Sequence, residues 1–400
     1  MRVLNSLSDL NVMRILRLIF LEKKISRVDI ASRLGMDKST VTKITSDLCS
    51  KKVIREAEAG NSGPQGGRKP VFLELNGQYA AVGGIEINSE HFYAVILSLN
   101  GKLIFESTQK INPDEYAELG FMGFYKKAFS VIKKHADKNK IRLLGIGVGV
   151  PALVDSAEGK IINSIPLMIF EPVEFTKEAS KNSEIPLFVD NDARCCCYTE
   201  KITFDNSARE KNIMYVMVQH RQQKPVKGSL KDISVGFGFK LNGKVYRGTN
   251  SFAGEFRSMM WNPESKNQFS NSTNYIEDLS DSKKITPLFK ELAKNVAFIV
   301  NVLNLDIVYT GGIDEKYTKQ ISNYIKEEIL YLWPYEKNIN PVIETAEAHD
   351  RVVSEGAALM VLDKLFSIPE FSDNMMPVDN MNKQEALYGT FWLQPDERKI

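Results

Sequence analysis

Lys38, Ser39, Thr40, Thr42 and Lys43 fall within six consecutive positions at the start of a helix-like segment, a combination suited to reading nucleic acid. Short hydroxyls allow close approach to a groove, while lysines and the N–H groups of a helix N-terminus attract phosphates. A second basic cluster, Gly67-Arg68-Lys69-Pro70, sits in a Gly-rich stretch. An arginine beside glycine can enter a narrow minor groove, where the potential is most negative. A solvated helix face and an ordinary linker are the bland alternatives. Further on, Asp190-Asn191-Asp192-Ala193 ends a strand-like run with two carboxylates and an amide where a helix starts. Cys195, Cys196 and Cys197 are consecutive, which suits neither a disulfide framework nor a spaced metal knuckle, and they read as buried thiols on one helix. His91, His135, His220 and His349 are dispersed, without metal-ligand spacing.

These residues need elements to hold them. Leu10, Met13, Leu16, Leu18, Ile19 and Phe20 recur at mostly helical spacing, with Ser8 and Asp9 where N-caps belong. A second short helix is expected from Ser26, with Val28, Ile30, Ala31 and Leu34 on its inner face and Gly35 as its stop. Asp37 can cap a third, whose buried stripe is Val41, Ile44 and Leu48. Two helices joined by a tight Gly-containing turn form a helix-turn-helix. Val53-Ile54 and Val71–Leu75 then read as two short strands around a basic loop, the outline of a wing.

From Ala80 the pattern changes to strand-like runs separated by turns such as Asn100-Gly101, then a helix around 115–138 and a glycine-bearing strand ending at Pro151. Further strands are expected at 213–218 and 232–247. A long helix near 286–303 leads into Asp306–Gly312, and a last helix spans Val352–Leu365. Strands followed by alternating helices and strands, repeated once, predict two mixed α/β lobes with a cleft between them.

The bulk properties exclude some classes. The 400 residues are 43% hydrophobic and 26% charged, enough apolar material for more than one core. No apolar run approaches the roughly 20 residues that span a bilayer, and the N-terminus has no signal-peptide core, so no membrane partner and a cytoplasmic location are expected. The first 80 residues carry 14 Lys+Arg against 8 Asp+Glu, whereas the remaining 320 net −4. A basic head on a slightly acidic body points to a polyanion for the head.

The order of these segments resembles the ROK family (repressor, open reading frame, kinase). The likeness covers about residues 8–365 and rests on the helix-turn-helix with its Gly67–Pro70 tip, Gly149–Asp155, Asp190–Ala193, Asn242–Gly248, Phe252-Ala253-Gly254-Glu255 and Gly311-Gly312. It implies an α/β chain in which an N-terminal winged helix-turn-helix precedes a two-lobed, actin-like ATPase (ROK sugar-kinase) fold. Residues 1–76 would be the DNA-binding domain, 77–195 and 196–366 the two lobes, and 367–400 a tail. The resemblance also implies a sugar site in the cleft, with Asn191, Asp192, Glu255 and Glu277 as ligand-binding residues, and a homodimer or dimer of dimers.

The sequence departs from the family where phosphoryl transfer needs glycine. D-x-G-G-T is replaced by Glu86-Ile87-Asn88-Ser89-Glu90, and G-T-G-x-G-x-G by Asp232–Gly238, which keeps only Gly236 and Gly238. Ser258 stands where the family's zinc-binding His belongs, and no cysteine follows. No enzyme activity, cofactor or metal is therefore expected. Arg194 and Arg257 would either contact an acidic ligand or pair with Asp190 or Glu255. The leading expectation is a repressor of carbohydrate-metabolism genes, with double-stranded operator DNA as one partner and a sugar or sugar derivative as the other. An active kinase with a DNA-binding head, and a DNA-binding dimer with a ligand-free scaffold, are the alternatives.

Overall fold

The computed structural model describes residues 7–57, 71–205, 207–220, 233–265, 267–270, 279–336, 339–346 and 349–368. The first elements are α1 (Leu7–Glu22), β1 (Ile25–Ser26), α2 (Arg27–Leu34), α3 (Lys38–Ser50), β2 (Ile54–Glu56) and β3 (Phe72–Leu75). Helix α1 starts earlier than the apolar pattern suggests, so Ser8 and Asp9 lie inside it rather than capping it. Ser26 does cap α2, its Oγ accepting from the Asp29 N–H at 3.1 Å. Gly35 ends α2 at φ 62°, a conformation that costs glycine no Cβ strain. Val28 departs from the expected inner face and is 59% exposed. It stands two residues from buried Ile30, about 200° around the helix. Strand β3 lies between β1 and β2, antiparallel to both. An Arg55–Glu74 ion pair at 2.7 Å crosses the β2–β3 ladder, whose far ends lead into the residues expected to form the wing tip.

The first lobe is a five-stranded sheet in the order β10-β7-β4-β5-β6, from β4 (Ala81–Ile87), β5 (His91–Ser98), β6 (Leu103–Lys110), β7 (Leu143–Val150) and β10 (Leu187–Asn191). Strands β4 to β6 form antiparallel hairpins, and β4, β7 and β10 run parallel. Helix α4 (Pro113–Lys138), kinked at Gly120, covers one face. A small β8–β9 hairpin (Leu153–Asp155, Lys160–Asn163) and α5 (Phe175–Ala179) complete the lobe. Helices α6 (Asp192–Cys196) and α7 (Glu200–Phe204) lead to the second sheet. Its order is β13-β12-β11-β14-β15: β11 (Ile213–His220), β12 (Ile233–Leu241), β13 (Lys244–Val245), β14 (Ile307–Gly311) and β15 (Val342–Thr345). Helices α8 (Ser282–Leu303) and α9 (Glu315–Leu332) pack on its outer face.

The last helix, α10 (Val352–Leu365), belongs spatially to the first lobe, although the expected second lobe ran through 366. It lies across β4 and β7. The strand glycines explain the close fit: a Cβ at Gly84 would stand 1.9 Å from the Ser354 carbonyl oxygen, and one at Gly147 2.1 Å from that of Ala357.

Head and body share one core. Ile15, Leu16, Ile19 and Phe20 of α1 belong to the same buried cluster as Leu362, Leu365 and Phe366 at the end of α10. Phe20 stacks on Phe366 at a ring separation of 4.7 Å and meets Phe204 edge-on at 5.1 Å. Among the described residues no helix is long and apolar enough to cross a membrane.

Candidate nucleic-acid interface and ligand cleft

Helix α3 buries Val41, Ile44, Thr45 and Leu48 and turns the other side outward. Lys38, Ser39, Thr42 and Lys43 are exposed and Thr40 half-buried, so all five sequence candidates of this helix lie on its free N-terminal half. Thr42 Oγ donates to the Lys38 carbonyl at 2.7 Å. The helix is held by Arg27 of α2, which donates to Thr45 Oγ at 3.1 Å and pairs with Glu56 at 2.9 Å. Asp37 occupies the N-cap position but makes no capping hydrogen bond through its side chain. Arg68 and Lys69 lie outside the described residues.

In the body, the turn between β4 and β5 occupies the place of the family's first phosphate loop. It is closed by its own side chains. Asn88 Oδ1 accepts from the N–H groups of Glu90 (2.9 Å) and His91 (2.8 Å), and Asn88 Nδ2 donates to Glu86 at 2.9 Å. A phosphate cradle needs such N–H groups directed at the ligand; here two are already satisfied. Glu86 is only 4% exposed. Burial pushes its carboxyl up to about 8; the Asn88 hydrogen bond opposes this, and nearby Asp192 and Asp350 add to it.

That raised value has a testable consequence. Between the unfolded value near 4.5 and about 8 the native state holds a proton that the unfolded chain has released. Stability assigned to Glu86 is therefore present at acid pH and lost as pH rises through that window. Glu86→Gln is expected to be relatively more stable than the parent at pH 8.5 than at pH 5. Urea midpoints at the two pH values measure this, and an unchanged difference between parent and variant would count against a buried, proton-holding Glu86.

Gly238 has a packing reason to be glycine. A Cβ there would lie 2.4 Å from the Ala193 carbonyl oxygen and 2.5 Å from Cys197 Sγ, whereas one at Gly236 would meet the Ala193 methyl only at an ordinary 3.4 Å. Gly238 lets β12 seat against α6, with no phosphate needed to account for it. Asp232 lies outside the described residues.

The hydroxyl-binding candidates are partly brought together. Asp192 is 6% exposed and accepts from the Ala193 N–H at 2.8 Å and from Gln219 at 3.5 Å. Glu255 opens to solvent and its backbone bridges to Gly236. Its carboxyl is still raised, by burial first, with Arg194 pulling it down and Asp192 pushing it up. Asn191 is engaged structurally: its Oδ1 caps α6 by accepting from the Arg194 N–H (3.3 Å), and its Nδ2 donates to the Ala152 carbonyl (3.2 Å). Glu277 lies outside the described residues.

Arg194 takes the pairing alternative. It is 1% exposed, bonds Asp190 at 2.5 Å, and donates to the carbonyls of Val154 (3.2 Å), Ser251 (2.6 Å) and Ala253 (3.3 Å). One guanidinium thus fastens the floor of the first lobe to a loop of the second. Arg257 stacks on the Trp261 ring at 4.3 Å. Sequence reasoning missed Arg247, which bonds the other oxygen of Asp190 at 3.0 Å and Tyr198 Oη at 2.8 Å. Its place within Asn242–Gly248 was visible; its partner was not. Burial works against the Asp190 charge, but Arg194 and Arg247 outweigh it and hold the carboxyl below the usual range.

The loop that carries zinc ligands in the family is held here by amides and hydroxyls. Gln268 bonds Val235 and Phe256, Ser270 bonds Glu291 through both its N–H and Oγ, and Asn295 donates to Ser258 Oγ at 3.1 Å. Among the described residues no group of three or more His, Cys, Asp or Glu could hold a metal ion. Burial raises the thiols of Cys195, Cys196 and Cys197 well above the ordinary range, in keeping with inert core residues.

The ROK family model matches residues 82–267, and a model described as winged helix-turn-helix DNA-binding matches residues 8–55. The chain thus carries a ROK family domain behind a winged helix-turn-helix. It is 22% identical to a xylose repressor of Caldicellulosiruptor bescii, over 92% of this chain and 98% of that one. Among solved structures it resembles a ROK family transcriptional regulator described as a homologue of the E. coli MLC protein, with a TM-score of 0.63 and 17% identity over 88% of this chain and 95% of that one. A ROK hexokinase from Thermus thermophilus matches with a TM-score of 0.51 and 16% identity, over 70% of this chain and 97% of that one. The regulator and the xylose repressor match over most of this chain, the hexokinase over a smaller share. A winged helix-turn-helix ahead of an actin-like body is thus the fold of this chain.

Proposed function

We propose that this chain is a DNA-binding transcriptional repressor of carbohydrate-metabolism genes whose body senses a sugar or sugar derivative and does not phosphorylate it. The observation that carries the reading is the free N-terminal half of α3, on a head packed against a kinase-like body whose first phosphate turn is closed by Asn88. The similarity to a xylose repressor across nearly both chains supports it. Such a role places the protein in the cytoplasm and calls for a homodimer or dimer of dimers, since paired heads read half-sites at a fixed spacing.

In this reading Lys38, Lys43 and Lys69 contact phosphates, Arg68 enters the minor groove, and Ser39, Thr40 and Thr42 approach base edges. Asp192 and Glu255 accept from ligand hydroxyls, with Asn191 holding the strand end and Glu277 a fourth candidate. The physical link between sites is the Asp190–Arg247–Tyr198 chain, which runs from the residue beside Asn191 toward the surface on which α1 docks. A ligand that favours one arrangement of this chain changes the affinity of the head for DNA by the same factor that DNA changes ligand affinity.

The test is selection of bound sequences from a random duplex pool, then gel-shift titration of the winner with and without a sugar panel. Failure to enrich any sequence over a control lacking residues 1–76 would sink the DNA reading. Lys43→Ala is expected to weaken binding to all duplexes alike and to lower the slope of log affinity against log salt by about 1, one phosphate contact. Thr42→Ala is instead expected to cost about 1–3 kcal/mol only on the selected sequence. A thermal-shift titration with ATP–magnesium addresses the kinase alternative; a saturable shift would favour it. No shift with any sugar on the panel, alongside specific DNA binding, would favour the scaffold alternative.

A further inference from the structure

A small polar cavity of about 30 Å³, measured to the centres of water-sized spheres, lies where the head meets the body. That is room for about two waters, the bulk of one tetrahedral oxyanion. Its walls carry Arg17 from α1, Arg209 from the turn before β11, Lys240 from β12, and Asp363 and Tyr198 from the first lobe. Cations outnumber acids here. Arg17 pairs with Asp363 at 2.6 Å, and Arg209 pairs with Glu22 at 2.8 Å, but Glu22 also serves Arg33 at 2.9 Å. Lys240 is 7% exposed and donates to the Ile202 carbonyl at 3.0 Å. Arg209 Nε is buried and has no hydrogen-bond acceptor among the described residues.

We propose that this cavity binds a small oxyanion of the phosphate class, held between Arg17 of the head and Arg209 and Lys240 of the body. Guanidinium and ammonium donors converging on a partly enclosed space are the usual chemistry for such an ion. The surrounding electrostatics agree. Burial, with Arg17 and Arg209 adding to it against Asp363 and Cys197, lowers Lys240 from its ordinary range. Burial and Arg247 bring nearby Lys364 down to about 7, against the pull of Asp190 and Asp363. The joint is short of negative charge, and an anion would restore it. Because both head and body supply donors, the ion binds the docked arrangement and stabilises it. The site does not depend on α3 binding DNA or on any ligand in the cleft.

The test is isothermal calorimetry and thermal unfolding of the full chain at constant ionic strength, with chloride replaced by inorganic phosphate or by methyl phosphate. Phosphate is expected to bind saturably and to raise the melting temperature with the logarithm of its concentration. Lys240→Met and Arg209→Gln are each expected to weaken binding at least tenfold, while Lys43→Ala, on α3, leaves it unchanged. Binding of phosphate alone identifies a free ion as the occupant; equal binding of methyl phosphate identifies the phosphoryl group of an ester. No saturable binding of either probe, or binding undiminished in Arg209→Gln, overturns the proposal. Arg209→Gln decides the matter should Lys240→Met fail to fold, since Arg209 is part-exposed and outside the sheet.

Discussion

Replacing Asp190 by alanine is expected to destabilise the folded chain by about 3–5 kcal/mol, the usual loss when one partner of a buried ion pair is removed. Asp190 has no exposed surface, and its carboxylate is shared by Arg194 at 2.5 Å and Arg247 at 3.0 Å. Alanine leaves two guanidinium charges facing each other without a counter-charge. Arg194 keeps its three carbonyl acceptors, which is why the loss stays in the range of one broken pair. Asp190→Asn retains an acceptor and should cost less. Asp190→Leu combined with Arg194→Met removes both charges and should recover part of the loss, since apolar replacements of similar volume often match a buried pair.

The sign of the pH effect follows from the lowered carboxyl. Its stabilising contribution is complete above the unfolded value near 3.8 and disappears as pH falls through the lower native value. The parent should therefore lose stability steeply below about pH 4, and Asp190→Ala should show a shallower acid limb. Urea unfolding followed by circular dichroism measures both. A loss under 1 kcal/mol at neutral pH would show that Asp190 is dispensable as the hub between the lobes.

What the sequence disclosed was local. Ser26 and Gly35 bracket α2 through atoms a few residues away, so their types alone predicted its ends. The stripe Val41, Ile44, Leu48 fixed the inner side of α3 and therefore the outward side that carries Lys38 and Lys43. Asn88 announced the loss of a phosphate loop, although only the fold shows that it occupies the N–H groups a phosphate would use. The rest depended on distant partners. Arg194 reads as an unusual residue after Asn-Asp-Ala; its acceptors at Val154, Ser251 and Ala253 lie 40 to 59 residues away and are backbone carbonyls, which side-chain identity does not reveal. Asn191 resembles a sugar ligand and is engaged as a helix cap for the same reason. Gly84 and Gly147 read as strand glycines in a sheet; their cause, the close passage of α10, lies more than 200 residues downstream. The broad apolar side of α1 was legible, but nothing in its periodicity divides what faces the head from what faces the body.

That undivided side of α1 underlies the second large effect. Phe366→Ala is expected to remove about 3–5 kcal/mol from the core shared by head and body. Phe366 is 2% exposed, and its ring lies 4.7 Å from that of Phe20. The ion pair Arg17–Asp363 cannot compensate, since both side chains are part-exposed and such pairs are worth about 0–1 kcal/mol. The variant leaves α3 and the head's own sheet untouched, so DNA affinity should survive while the head loosens from the body. Hydrogen exchange followed by mass spectrometry should show faster exchange in α1 and in the end of α10, with little change in β11 and β14. If the proposed sensing is transmitted through this joint, the ratio of DNA affinities with and without effector moves toward one in Phe366→Ala. Unchanged exchange in α1 would mean that the head is held mainly by the polar contacts of Arg17 and Arg209. Rapid exchange throughout the second sheet would mean instead that Phe366 supports the body as a whole, and the loss of coupling would then carry no information about the route between the sites.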